Sequence, residues 1–141
     1  MTELPIARHL LHAPPETVAD TVVLDYDARL MRRRRLRGKG GLEFLTDLAE
    51  VTNLDDHWGF ALEDGRAVAV EAAPEDLIEV RGDLARLAWH IGNRHTPCEI
   101  LSDHLRIRHD HVIEAMLAQL GADLTPVKGP FRPEGGAYGK G

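Results

Sequence analysis

The hydrophobic pattern of this chain changes near Pro74, and that change limits the folds that the chain can adopt. Before Pro74, β-branched and small apolar residues run in short stretches at 21–24 and 66–73, with turn sequences at 38–41 and 63–65. No stretch before Pro74 repeats apolar residues with the 3.6-residue period of a helix. Residues 1–74 therefore predict a small all-β domain.

After Pro74 the sequence predicts two amphipathic helices. Their apolar faces share the i, i+3, i+4, i+7 spacing and comprise Leu84, Leu87, Ala88 and Ile91, then Ile113, Met116, Leu117 and Leu120. Asp83 and Asp110 are predicted as the N-caps. Gly92-Asn93 and Gly121 are predicted to end the helices, because glycine and asparagine tolerate the left-handed backbone of a helix stop.

Short strands are predicted around these helices, at 77–80, 98–101, 105–108 and 124–127. The order is β-α-β-β-α-β, which is typical of a ferredoxin-like domain, here residues 75–141. Pro126 places the last strand at an edge of its sheet. The fold class is therefore α+β, an all-β domain followed by a ferredoxin-like domain. Beyond Gly129 we expect first an ordered wrap and then a loose tail.

Composition and charge exclude several classes of function. The formal net charge is −6 and aromatic residues are only 5% of the chain, which argues against a nucleic-acid partner. No apolar run approaches the roughly 18 residues that span a bilayer, so no membrane partner is expected. Polar residues interrupt every apolar stretch near the N-terminus, and the single cysteine, Cys98, excludes an intramolecular disulfide. These features predict a cytoplasmic protein.

The one biased segment is Arg32–Arg35, followed by Arg37. It predicts either a basic patch for an anionic partner or the solvated arginines of an edge strand or its turn. The second interpretation is favoured, because a strand sends alternate side chains to opposite faces and so divides any patch.

Five of the eight histidines follow Pro74 at close intervals: His90, His95, His104, His109 and His111. Neutral imidazole is a common ligand for nickel, copper, zinc and iron. The spacing His109-x-His111 around a helix cap is suited to chelation. The alternative is that these are surface or cap histidines without a ligand role.

The motifs of several enzyme classes are missing from the sequence, including Gly-x-Ser-x-Gly, the P-loop, Gly-x-Gly-x-x-Gly and His-Glu-x-x-His. Cys98 follows His95 closely, so a Cys–His nucleophile is conceivable. A buried, inert thiol is favoured, because Cys98 begins a short strand with apolar neighbours. We therefore predict no enzymatic activity.

Three stretches of the second half carry a specific resemblance: His90–Pro97 (HIGNRHTP), Asp110–Ala122 (DHVIEAMLAQLGA) and Pro130–Tyr138 (PFRPEGGAY). In these the chain resembles the UreE family of urease accessory proteins, which are nickel metallochaperones. Weaker similarity at 29–37 and 59–74 extends the resemblance over nearly the whole chain.

The resemblance implies a homodimer with an N-terminal peptide-binding-type domain and a C-terminal metal-binding domain. It implies that His95 is the principal nickel ligand, paired with its copy across the dimer, and that His109 and His111 form a secondary site. Ni(II) would be the cargo, with Cu(II) or Zn(II) as competitors, and it would be delivered to apo-urease in a maturation complex that includes the GTPase UreG. A metal-independent adaptor or peptide-binding protein of that complex is the alternative.

Overall fold

The structure is a computed structural model that describes residues 3–135. Two compact units divide this part of the chain, residues 3–72 and 73–135. The α+β fold class predicted from the sequence is confirmed: a strand-rich unit precedes a unit with one sheet and two helices.

The first unit is a six-stranded sheet with one 3-10 helix, Leu54–Asp56. Its strands are β1 Ile6–Leu11, β2 Asp20–Leu24, β3 Leu30–Arg37, β4 Glu43–Asn53, β5 Gly59–Leu62 and β6 Ala67–Ala72. The order across the sheet is β2-β6-β5-β1-β4-β3, in which β2/β6 and β1/β4 are parallel pairs. Its core is apolar, and Phe44 and Phe60 meet edge to face with ring centroids 5.3 Å apart.

The arginine run lies on β3, which is an edge strand of this sheet. This confirms the edge-strand interpretation. Arg32, Arg33, Arg34 and Arg35 are all exposed. A β-bulge lies between Met31 and Arg33, and from Arg33 onward β3 pairs residue by residue with β4, so successive arginines alternate between the two faces. An edge strand has solvent along its open side, which leaves the arginines hydrated.

The second unit has the predicted β-α-β-β-α-β order. Its elements are β7 Pro74–Arg81, α1 Leu84–Asn93, β8 Glu99–Ile100, β9 Leu105–Arg108, α2 His111–Gln119 and β10 Asp123–Pro130. All pairs in the sheet, ordered β10-β7-β9-β8, are antiparallel, and β10 lies at an edge as Pro126 predicted. The buried faces of both helices pack into one apolar core with β7 and β9. Because one core contains both helices, they cover the same face of the sheet.

The helix starts predicted from Asp83 and Asp110 are confirmed. The Asp83 carboxylate accepts a hydrogen bond from the Arg86 N–H, and the Asp110 carboxylate accepts from Val112 and Ile113. Gly121 has the expected left-handed backbone, with φ of 85°. The predicted strand 98–101 is shorter, since only Glu99–Ile100 pairs with β9.

The segment after β10 begins as the expected wrap. Phe131 is fully buried, and the backbone N–H of Glu134 donates to the carbonyl of Cys98 at 2.9 Å. The predicted loose tail falls at residues 136–141, outside the described part of the chain. Neither α1, of ten residues, nor α2, of nine, nor any other helix within 3–135 is long and apolar enough to cross a membrane.

Candidate metal site

The loop after α1 turns at His95, not at the predicted Gly92-Asn93. Helix α1 continues through Asn93, and His95 has a φ of 58°, so the left-handed position falls on a histidine. The His95 N–H donates to the Gly92 carbonyl at 2.9 Å, and the Thr96 N–H donates to the Ile91 carbonyl at 3.3 Å. A side chain in this region costs about 1–2 kcal/mol relative to the right-handed form. Among residues 3–135, His95 is the one non-glycine residue with a positive φ.

A backbone held in a sparsely populated region points to a role for the residue that occupies it. The imidazole of His95 is exposed at the end of α1. Loop residues held by a rigid scaffold often carry binding functions. His95 therefore lies on an ordered turn with its side chain open to solvent.

His95 shares a pocket with His109, a residue of the second predicted site. The pocket has a volume of about 350 Å³ and is lined by His95, Thr96, Pro97, Arg108, His109 and Asp110. One wall is the loop after α1, and the other is the junction of β9 with α2. The ferredoxin-like topology brings these two chain segments together.

His109 is oriented by the start of α2. Its Nδ1 lies 2.8 Å from Oε2 of Glu114, and the same oxygen accepts the backbone N–H of Asp110 at 2.8 Å. In the neutral form of the ring, donation from Nδ1 to a carboxylate leaves Nε2 with its lone pair. Carboxylates commonly orient metal-binding histidines in this way. The start of α2 therefore presents His109 in a form suited to bind a metal.

His111 lies beside His109 at the first residue of α2. The two ring centroids are 4.7 Å apart and the rings are nearly perpendicular, at 75°. Both side chains are exposed. The structure thus brings His109 to His95 through a shared pocket and to His111 through a ring contact.

The other two histidines of this region have different surroundings. His90 packs its ring against Trp89, with centroids 5.0 Å apart. His104 is buried, with Nδ1 2.6 Å from Asp103 and Nε2 3.3 Å from Glu79. Hydrogen bonds from Arg81 and then Arg106 hold the pKa of Glu79 below its ordinary value, so a charged network surrounds His104. His104 is a structural histidine.

Cys98 is half-buried beneath the His95 loop. Burial, with smaller contributions from the carboxylates of Glu134 and Glu99, raises the pKa of its thiol to about 11. At neutral pH the side chain is therefore a thiol, whereas a nucleophile or metal ligand must be a thiolate. This agrees with the predicted inert thiol.

Within residues 3–135, no group of three or more His, Cys, Asp and Glu side chains is arranged to hold a metal ion. A single chain brings two imidazoles, those of His95 and His109, to one pocket. The first unit holds a further histidine pair, His12 and His57, that the sequence did not reveal. Those residues are far apart along the chain, and only the sheet brings them together.

The fold and pocket define a two-unit α+β protein with a histidine-lined pocket in its second unit. Two family models match this chain: the N-terminal domain of the UreE urease accessory protein over residues 2–73, and its C-terminal domain over residues 75–141. The chain therefore belongs to the UreE family of urease accessory proteins. It is an accessory protein of urease maturation and not an enzyme.

Named relatives are similar over most of their length. The urease accessory protein UreE of Paracoccus denitrificans (strain Pd 1222) is 56% identical over 138 residues, which cover 98% of this chain and 89% of that protein. The UreE protein of Cereibacter sphaeroides is 56% identical, covering 100% of this chain and 79% of that one. The UreE protein of Rhodobacter capsulatus is 58% identical over 123 residues, which cover 87% of this chain and 79% of that protein.

Proposed function

We propose that this protein is a cytoplasmic nickel metallochaperone that delivers Ni(II) to apo-urease during assembly of the urease active site. The observation that carries the proposal is the pocket shared by His95 and His109. The principal nickel ligand in this proposal is His95, whose side chain is exposed to solvent on an ordered left-handed turn. Membership of the UreE family supports urease as the recipient. The single cysteine leaves the chain without an intramolecular disulfide, which fits a reducing compartment.

The proposed site is completed by a second copy of the chain. A two-fold axis doubles every ligand, so paired His95 residues supply two imidazoles from one position in the sequence. Water or the neighbouring His109 fills the remaining positions of an octahedral ion. An open site with few protein ligands releases its ion readily, as a donor protein requires, whereas a closed four-ligand site retains it.

Exposed apolar side chains in the second unit support such a homodimer. Trp89 on α1 is 63% exposed, Ile100 on β8 is 53% exposed and Val112 on α2 is 68% exposed. Large apolar groups left in solvent favour association. A second pocket, of about 210 Å³, includes Ile100 and shares Thr96 and Pro97 with the histidine pocket. Ile100 therefore lies next to the proposed nickel site.

His109 and His111 form the proposed secondary site. Two imidazoles in ring contact suit the tetragonal geometry of Cu(II), which outranks nickel in the usual affinity order. Cu(II) or Zn(II) therefore competes with the cargo. The partners of delivery are the GTPase UreG and the apo-urease complex.

Urease activation tests the proposal against a metal-independent adaptor. Apo-urease with its maturation proteins is mixed with the nickel-loaded chain, in the presence of a chelator that removes free nickel, and urease activity is measured. The wild type and His90→Ala are expected to activate urease, while folded His95→Ala should fall to the level without added chaperone. Equal activation by His95→Ala and wild type would favour the adaptor.

A further inference from the structure

The first unit contains a cleft where its sheet opens. Strands β1 and β4 pair in parallel only at Ile6–Ala7 with Leu45–Thr46, although both strands continue beyond that point. A pocket of about 370 Å³ lies where they separate. The polar residues that line it include Arg8, His9, His12, Glu50 and His57. Three histidines, one glutamate and one arginine thus border one opening of the first unit. Only two of the histidines, His12 and His57, have their rings in contact.

Two of these histidines are in contact. The ring centroids of His12 and His57 are 4.9 Å apart and their planes are inclined by 48°. The two rings are therefore tilted and not stacked in parallel. Both residues line the pocket, where the His12 side chain is exposed, whereas Nδ1 of His57 is buried. A shared ion would therefore meet His57 through Nε2.

Backbone hydrogen bonds bring the two rings together. The N–H of Trp58 donates to the carbonyl of Leu11 at 2.7 Å, which fixes the residues next to His57 and His12. The His57 N–H donates to the Leu54 carbonyl at 3.1 Å and closes the 3-10 helix. The Asn53 side chain caps that helix by accepting the Asp55 N–H at 2.9 Å. Because the backbone places the pair, little ordering entropy is lost when a ligand binds.

We propose that His12 and His57 form a second metal site, in the first unit, that binds a late first-row divalent cation and favours Cu(II). Imidazole nitrogens suit these ions, and Cu(II) lies at the top of the affinity order. Glu50 and Arg8 line the same pocket with opposite charges, so the imidazole nitrogens and not the net charge of the pocket carry the proposal. With two protein ligands the site exchanges its ion readily. It is independent of His95 and of nickel delivery.

Copper binding by the full-length chain tests the proposal. The background is the triple variant His95→Ala, His109→Ala, His111→Ala, which removes the histidines proposed as ligands in the second unit. Cu(II) is titrated into it, binding is measured by calorimetry, and electron paramagnetic resonance reads nitrogen coordination. One Cu(II) per chain with two-nitrogen coordination is expected to remain.

Adding His12→Ala and His57→Ala to that background should weaken this step at least ten-fold and remove the two-nitrogen signal. If His57→Ala disturbs the 3-10 helix, His12→Ala alone gives the same test, since His12 lies beyond the end of β1 and is exposed. The matched control is His9→Ala, which removes an imidazole from the same pocket but leaves the pair, and it should stay within about three-fold of the background. Unchanged copper binding after loss of His12 and His57, or an equal loss in His9→Ala, would overturn the proposal.

Discussion

Nδ1 of His109 and Oε2 of Glu114 lie 2.8 Å apart, and the same oxygen accepts the N–H of Asp110, the cap residue of α2. One carboxylate therefore secures both the start of the helix and the orientation of a proposed metal ligand. Removing it should disturb metal binding more than it disturbs the fold.

Glu114→Ala is expected to weaken the copper step assigned to His109 and His111 by about ten-fold, because loss of a carboxylate partner typically lowers the metal affinity of a histidine by 10- to 100-fold. The double variant His109→Ala, His111→Ala should lose that step entirely, with nickel at the His95 site retained. Copper titrations of these proteins and the wild type measure the effect, and circular dichroism checks the helix. Identical copper curves for all three would leave His95 as the one metal histidine of the second unit.

The left-handed turn at His95 predicts that its two simplest replacements differ in stability. His95→Gly removes the strain of a side chain at φ of 58°, whereas His95→Ala keeps it. The glycine variant should therefore have a free energy of unfolding about 1 kcal/mol higher than the alanine variant. Chemical denaturation measures both, and neither should bind nickel tightly. A glycine variant less stable than the alanine variant would show that the turn carries no such strain.

Arg29 and Asp55 form a buried ion pair in the first unit. Arg29 is 1% exposed, its Nε lies 2.6 Å from Oδ1 of Asp55, and its guanidinium also donates to the Leu24 carbonyl at 2.9 Å. Asp55→Ala leaves that buried charge without its carboxylate and should cost about 3 kcal/mol of unfolding free energy.

The control for this buried pair is a solvent-exposed ion pair. Arg35 and Glu43 are 3.0 Å apart on the surface of the same sheet, so Glu43→Ala should cost less than about 1 kcal/mol. Urea denaturation compares the two variants with the wild type. Equal losses of unfolding free energy in the two variants would mean that burial does not increase the contribution of the Arg29 ion pair to stability.

Cys98 should react with iodoacetamide slowly at pH 8 and faster as pH rises. Burial raises its pKa to about 11, so only about one thiol in a thousand is ionised at pH 8, compared with roughly a quarter for a free cysteine. Because the thiolate is the reactive form, alkylation should be at least about ten-fold slower than in the chain unfolded by guanidinium. Mass spectrometry follows the rate between pH 8 and 11. A rate that levels off by pH 9 would contradict the raised pKa.

The sequence predicted those features that depend on neighbouring residues. Asp83 and Asp110 cap their helices through bonds to residues two and three positions later, and Gly121 supplies a left-handed stop. Such short-range signals are readable without knowledge of the fold. These short-range signals, together with the spacing of apolar residues, predicted the order of strands and helices in the second unit.

Features set by contacts between distant segments were missed. One local feature was also missed: α1 ends at Asn93 as predicted, but the left-handed residue is His95 and not Gly92 or Asn93. The burial of Arg29 depends on Asp55, and the contact of His12 with His57 depends on the pairing of β1 with β5. Composition and periodicity carry no signal for these pairs, because each joins residues from separate elements.

Nickel binding by His95→Ala tests the central claim most directly. Equilibrium dialysis with Ni(II), together with sedimentation to give the oligomeric state, is carried out on the wild type, His95→Ala and the control His90→Ala. The wild type and the control should bind one tight nickel per dimer, and His95→Ala should lose that nickel while circular dichroism shows the same fold. A folded His95→Ala protein that binds nickel with the stoichiometry and affinity of the wild type would contradict the account.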